Sequence, residues 1–238
     1  MSVDPAIELG LSTNGSRGLL ISFEALDKTP RKQIMDKVCE KLSPQDSMCF
    51  HFPQTATAIG GVIDGYLRKK VLYSPHCAHL LFAAGIWEWA SSLEKSVREG
   101  THVLLDRYTL SNTVYTVARL GRPYLDYCRH SARYLPIPDL TIYLQMEPEK
   151  LMLSPGYGTG INHSLPFLQR VDALFQELVH ESRTCHLVSC TGRSDEQVAE
   201  VCYELISGVA LPPQQPLGKY DISTVGPSMV SDQWGIPY

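Results

Sequence analysis

The stretch Phe23-Glu24-Ala25-Leu26-Asp27-Lys28-Thr29-Pro30-Arg31-Lys32 lies between an apolar run, Gly18 to Phe23, and a helical pattern that opens at Arg31. A strand, a tight loop and a helix start in that order form a cradle for phosphate, because the free backbone N–H groups of the first helical turn point at the anion. The pattern that serves this chemistry, G-x-x-x-x-G-K-[ST], uses glycines for close backbone approach, a lysine for the β and γ phosphates and a hydroxyl for Mg²⁺. In this chain those four positions hold Ala25, Pro30, Arg31 and Lys32. Pro30 lacks an N–H and fixes φ, and Lys32 puts a cation where the metal would sit. On residue identity alone, the loop disfavours ATP binding in the usual mode.

A second group with chemical potential is Asp106-Arg107, which follows the apolar run His102 to Leu105. Open α/β sheets place their sites at such strand ends. Ser111 and Tyr115 come one and two helical turns later, and Phe82 sits on an apolar helix face. Each has a plainer reading, and for most of them the plainer one is preferred. Asp106 and Arg107 are read first as a structural ion pair, Phe82 as a core aromatic and Ser111 as a helix-start residue. Lys28, Arg31 and Lys32 read as a solvated charge run. The eight histidines show no metal-ligand spacing with a carboxylate, so no metal site is expected.

The elements that must position these residues alternate in type. Strands are expected at Gly18 to Phe23, Ser47 to His51, His102 to Leu105, Leu140 to Leu144 and Cys185 to Ser189. Helices are expected at Arg31 to Leu42, Ile59 to Arg68, Pro75 to Glu99, Leu110 to Leu120, Phe167 to Ser182 and Asp195 to Ile206. The helix from Pro75 carries an apolar stripe through Leu80, Leu81, Ala84 and Trp87. This alternation predicts an α/β fold, a three-layer sandwich around a parallel sheet. Three parts are expected: an N-terminal extension over 1–17, a domain over 18–220 and a C-terminal tail over 221–238.

With 238 residues and a formal net charge of −4, the chain is long enough for a substantial core and offers no electrostatic footprint for nucleic acid. Its seven cysteines are odd in number and include no C-x-x-C pair. That argues for an intracellular, reducing compartment and for cysteines as small core fillers. No apolar stretch is long enough to span a membrane, and Met1 to Arg17 shows no secretory signal.

Several segments, in order, resemble the thymidylate kinase family of nucleoside monophosphate kinases. They are Phe23-Glu24 with Leu26-Asp27, Phe52-Pro53 with Ile59-Gly60 and Tyr66-Leu67, and His79-Leu80-Leu81-Phe82 with Trp87-Glu88. Asp106-Arg107-Tyr108 with Ser111 and Tyr115, Leu135-Pro136 with Pro138-Asp139-Leu140, and Pro216-Leu217-Gly218-Lys219 complete the set. The resemblance implies a nucleotide-kinase fold in which Phe82 stacks on a base. Asp106 and Arg107 deal with catalysis and the monophosphate, and Ser111 and Tyr115 line the nucleoside pocket. It also brings departures into view. A phosphate-contacting arginine of the family falls at Thr55, an Asn-Arg pair falls at Gly85-Ile86, and the lid segment Ser154 to His163 holds no arginine.

Phosphoryl transfer depends on cationic positioning and stabilisation. The leading expectation is therefore a catalytically inactive member without a cofactor, serving as an accessory subunit of a larger protein assembly, mitochondrial or cytoplasmic. The tail residues Val225, Met229, Val230, Trp234 and Tyr238 would be its anchors, with a homodimer as a further arrangement. The second expectation is a divergent kinase that phosphorylates dTMP with ATP and Mg²⁺, with Arg31 in the role of the lysine. The third is a non-catalytic nucleotide sensor.

Overall fold

Five strands form one parallel sheet in the order β2-β3-β1-β4-β5 in the computed structural model, which describes residues 17–43, 46–209 and 216–221. They are β1 (Leu20–Ala25), β2 (Ser47–His51), β3 (His102–Asp106), β4 (Leu140–Gln145) and β5 (Cys185–Ser189). Every residue of β1 is buried, as a central strand covered on both faces requires. Its alternate side chains divide between two cores. Ile21, Phe23 and Ala25 pack with Ile34, Val38, Val198 and Cys202 on one face, and Leu20 packs with Leu93, Val97, Val103 and Leu105 on the other.

Nine helices accompany the sheet among the described residues: α1 (Arg31–Leu42), α2 (Ala58–Leu67), α3 (Pro75–Trp87), α4 (Ala90–Arg98), α5 (Thr109–Leu120), α6 (Leu125–Ala132), α7 (Pro148–Leu151), α8 (Leu165–His180) and α9 (Asp195–Ser207). Three of their starts carry side-chain caps. Thr57 Oγ1 accepts from Gly60 N at 3.0 Å, Ser74 caps α3 just ahead of Pro75, and Ser194 with Gln197 makes a capping box for α9. Gly121, at φ 94°, ends α5 in a conformation that other residues rarely adopt.

The expected three-layer α/β sandwich is present. Two local expectations are corrected. The long helix from Pro75 breaks at Glu88 and Trp89 into α3 and α4. The stripe through Leu80 and Trp87 is not its buried face: both are exposed, while Ala78, His79, Ala83, Gly85 and Ile86 are buried. The cysteines divide too, since Cys128, Cys190 and Cys202 are buried whereas Cys49 and Cys77 are exposed. The tail anchors Val225 to Tyr238 lie outside the described residues.

Residues 216–221 close the molecule opposite the end of α6. Tyr134 N donates to Tyr220 O at 2.9 Å, Tyr220 N to Leu135 O at 3.0 Å and Ile137 N to Gly218 O at 2.9 Å. The Tyr220 hydroxyl meets Thr109 Oγ1 at 2.9 Å, which ties this strap to the start of α5.

Candidate functional site

The C-terminal ends of β1 and β3 lie side by side, with Phe23 in register with Asp106. From these ends the chain turns into the loop before α1 and into Arg107, whose N–H donates to Phe23 O at 2.9 Å. Two residues adopt left-handed backbone here, Lys28 at φ 75° and Arg107 at φ 67°. Such strain clusters at functional sites, where the surroundings over-determine it.

Asp106 and Arg107 do not pair with each other, which corrects the reading of these neighbours as one ion pair. Arg31 Nε lies 2.5 Å from Asp106 Oδ1, and Arg107 Nη2 lies 2.5 Å from Asp27 Oδ1. Adjacent residues at a turn point in different directions, so each finds its partner across the β1 loop. Arg31 also donates to Leu26 O at 3.0 Å. The expected basic run therefore splits: the Arg31 side chain is 14% exposed and turned inward, whereas Lys32 is 79% exposed and paired with Asp36. Lys28 reaches toward Gly156.

Beneath these charges Glu24 is fully buried. Its oxygens accept from Ser22 Oγ at 2.7 Å, from Ser111 N at 3.2 Å and from Ser111 Oγ. Burial raises its pKa against the pull of those hydrogen bonds. For Asp27 burial acts in the same direction but is outweighed by Arg107 and Arg31, which leave its pKa lowered. Burial pushes the Tyr115 phenol up to about 12, and its hydroxyl accepts from Asp27 N at 3.2 Å. The Arg107 guanidinium lies 5.2 Å from the Tyr115 ring centroid, a cation–π contact.

From these charges a cleft of about 840 Å³, its open mouth included, runs between α2, α3 and α5. Asp27, Arg107, Ser111 and Tyr115 line its charged end, and Phe82, Gly85 and Ile86 with Phe52, Pro53 and Tyr66 line its apolar end. Phe82 is half-buried and meets the Tyr66 ring edge-on at 6.4 Å; it is a wall of the cleft rather than sealed core. Among the singled-out positions, Phe82, Ile86, Arg107, Ser111 and Tyr115 come together here. Ala25, Pro30, Arg31, Lys32 and Asp106 belong to the adjoining loop, and Thr55 is exposed on the turn after the cis Phe52–Pro53 bond and does not line the cleft.

Sequence reasoning missed Arg119, Asn162, His163 and His79. Asn162 Nδ2 donates to Asp27 Oδ2 at 3.5 Å, and His163 Nε2 lies 3.9 Å from the same oxygen. Arg119 reaches from α5 to Asn162 and lies over Phe167 at 4.7 Å. The segment judged poor in cations thus has one beside it, supplied by a helix remote in sequence. His79 is held by Thr116 at 2.9 Å and Ser131 at 2.7 Å. An arginine at the end of an otherwise apolar helix face was the available signal for Arg119; His79 opens one of the family-like segments and Asn162 and His163 end the lid segment, but nothing there marked their contacts.

The sequence model of the family described as Thymidylate kinase matches residues 23–201. A thymidylate kinase from Danio rerio is 30% identical over 206 residues, covering 85% of this chain and 97% of its own length. A solved thymidylate kinase from Candida albicans superposes with a TM-score of 0.74 at 29% identity, covering 82% of this chain and 93% of that one. One from Ehrlichia chaffeensis gives a TM-score of 0.62 at 16% identity, covering 80% of this chain and 99% of that one, and bears on the fold alone.

These likenesses overturn two expectations: that the chain is not an enzyme, and that it uses no cofactor, since thymidylate kinases use ATP and Mg²⁺. The first expectation counted residue identities in the loop, but side-chain placement matters more, and Arg31 and Arg107 both turn their charge inward at the head of the cleft. Three groups of the loop suit the anionic end of ATP: Arg31, Lys28 and the buried Thr29 hydroxyl, which has no hydrogen-bond partner among the described residues. A protein-held Mg²⁺ is not matched in the usual way: Lys32 stands in the hydroxyl position, and the two carboxylates beside the loop, Asp106 and Asp27, are engaged by Arg31 and Arg107. From fold, cleft and sequence together, the chain belongs to the thymidylate kinase family.

Proposed function

We propose that this chain phosphorylates a thymidine-type nucleoside monophosphate, with ATP as the phosphoryl donor. The observation that carries this reading is the cleft, with an aromatic and apolar end for a base and a charged end at Arg107 and Asp27, beside which Arg31 stands on the adjoining loop. The base lies against Phe82, with Tyr66 and Pro53 excluding water. Asp27 and Tyr115 face the sugar. Arg107 holds the monophosphate, and its ion pair with Asp27 and contact with Tyr115 fix the guanidinium before substrate arrives, so little reorganisation is left for the reaction.

On the donor side Arg31 is the inward cation of the loop. It is anchored by Asp106 and the Leu26 carbonyl, and its planar fork differs in reach from the lysine of the usual pattern. Mg²⁺ bound to the nucleotide's own phosphates would supply charge neutralisation there. In the transfer an acceptor phosphate oxygen bonds to the terminal phosphorus of ATP as its bond to the bridging oxygen breaks, leaving ADP.

Chromatographic detection of dTDP from dTMP, ATP and Mg²⁺ tests the reading. Product should form, and Arg107→Met should lower kcat/KM by about 10²-fold or more, as removal of a transition-state charge contact does. Absence of both product and calorimetric dTMP binding in the wild-type protein would sink it.

A further inference from the structure

Two of the seven cysteines face each other at the sheet edge. Cys39 lies on α1 and Cys49 on β2, the outermost strand, and their sulfurs are 2.6 Å apart. That is inside van der Waals contact and outside the about 2.05 Å of a disulfide. Both positions are held from behind: Ser47 Oγ donates to Cys39 O at 3.3 Å, and Cys49 Sγ lies 3.9 Å from Met35 O. Cys39 is half-buried and Cys49 exposed, so a small oxidant can reach them. The other cysteines offer no such arrangement: Cys128, Cys190 and Cys202 are buried, Cys185 is half-buried on β5, and neither Cys185 nor exposed Cys77 makes a sulfur–sulfur contact among the described residues.

We propose that Cys39 and Cys49 are a reversible modification site, forming an intramolecular disulfide with a soluble disulfide such as glutathione disulfide as oxidant. The Cys39 thiolate attacks one sulfur of the oxidant, and one glutathione leaves as thiolate and takes up the proton lost from Cys39. Cys49 sulfur then attacks Cys39 Sγ in the mixed disulfide; the second glutathione leaves and takes the Cys49 proton. Two protein thiols are oxidised and one glutathione disulfide is reduced to two glutathiones. The hydrogen bond shared with Cys49 favours the Cys39 thiolate. A thiol that is readily ionised attacks first.

The bond would staple α1 to the sheet edge, and α1 opens at Arg31, beside the charged end of the cleft. Exposure of the full chain to glutathione disulfide, followed by peptide mapping without reduction, tests the proposal. The expected product is a Cys39–Cys49 linked peptide with no attached glutathione. Dithiothreitol should reverse it, Cys49→Ser should abolish it, and the oxidised form should melt higher by about 5 °C, as closure of a short loop implies. Stable glutathione adducts on Cys39 and Cys49 separately, linkage of either to Cys77, or no reaction while Cys77 is modified would each overturn it. The mapping on the wild-type protein decides the matter even if the serine variant folds poorly.

Discussion

Asp27 accepts from the Arg107 guanidinium, receives Asn162, and lies near His163. Asp27→Asn would leave Arg107 with the Ser111 hydroxyl at 3.3 Å and the Tyr115 face. Breaking one side of a buried pair costs about 3 to 5 kcal/mol, and the partial exposure of this site reduces that to about 2 kcal/mol. Urea unfolding of the variant should show that loss. A loss below about 0.5 kcal/mol would mean that water already carries the arginine's charge. Glu24 offers a pH test. Its folded pKa is raised above 4.5, so the folded state holds the proton more tightly than the unfolded state does. The resulting penalty is absent below 4.5, grows as pH climbs toward the folded value and then levels off. The stability of Glu24→Gln relative to wild type should therefore increase with pH above 4.5. Urea midpoints across a pH series check this, and a pH-independent difference would show that the carboxyl titrates normally. The identities of Asp27, Phe82 and Arg107 were legible in the sequence because each falls in an ordered motif. The crossed pairing of Asp106 and Arg107 was not, because it depends on the left-handed turn at Arg107.

Among the elements, α2 is held against the turn after Phe52–Pro53 by the absence of a side chain at Gly60, where an added Cβ would meet Gln54 O at 1.8 Å. Backbone cannot yield as a flexible side chain can. Gly60→Ala should displace α2 from that turn and move Pro53 and Tyr66, which line the apolar end of the cleft. The variant is expected to bind dTMP at least tenfold more weakly, about 1.4 kcal/mol, and to melt lower; unchanged binding by calorimetry would mean that the turn moves with the helix. Strand and helix order could be read from periodicity because both sheet faces are covered and each strand is a short apolar run. The break at Glu88–Trp89 could not be read, since no glycine or proline marks it. Helix α6, Leu125–Ala132, was also missed; at two turns it is too short for a periodic pattern to stand out.

For the whole molecule, the strap at 216–221 decides where the folded unit ends. A chain ending at residue 215 loses the three backbone bonds to 134–137 and the Tyr220 contact with Thr109, whereas one ending at 221 keeps them. Net hydrogen-bond and burial terms for this set amount to about 2 kcal/mol. That is a melting-temperature difference of about 4 to 8 °C for a domain of this size. Differential scanning of the two truncations measures it, and coincident transitions would place the boundary before the strap.

The central position of β1 has a further consequence, for synthesis. Leu20 N–H is satisfied by Asp139, 119 residues later in the chain, and β4, its neighbour on that side, follows directly. At about 5 to 20 residues per second, the run Leu20–Ala25 waits roughly 6 to 24 seconds on the ribosome before that flank is covered. A largely apolar strand, with Glu24 its one ionisable side chain, left open that long is an invitation to pair with another nascent chain. Translation arrested before β4 should yield aggregates, or a polypeptide retained by a holding chaperone, whereas release after β4 should relieve both.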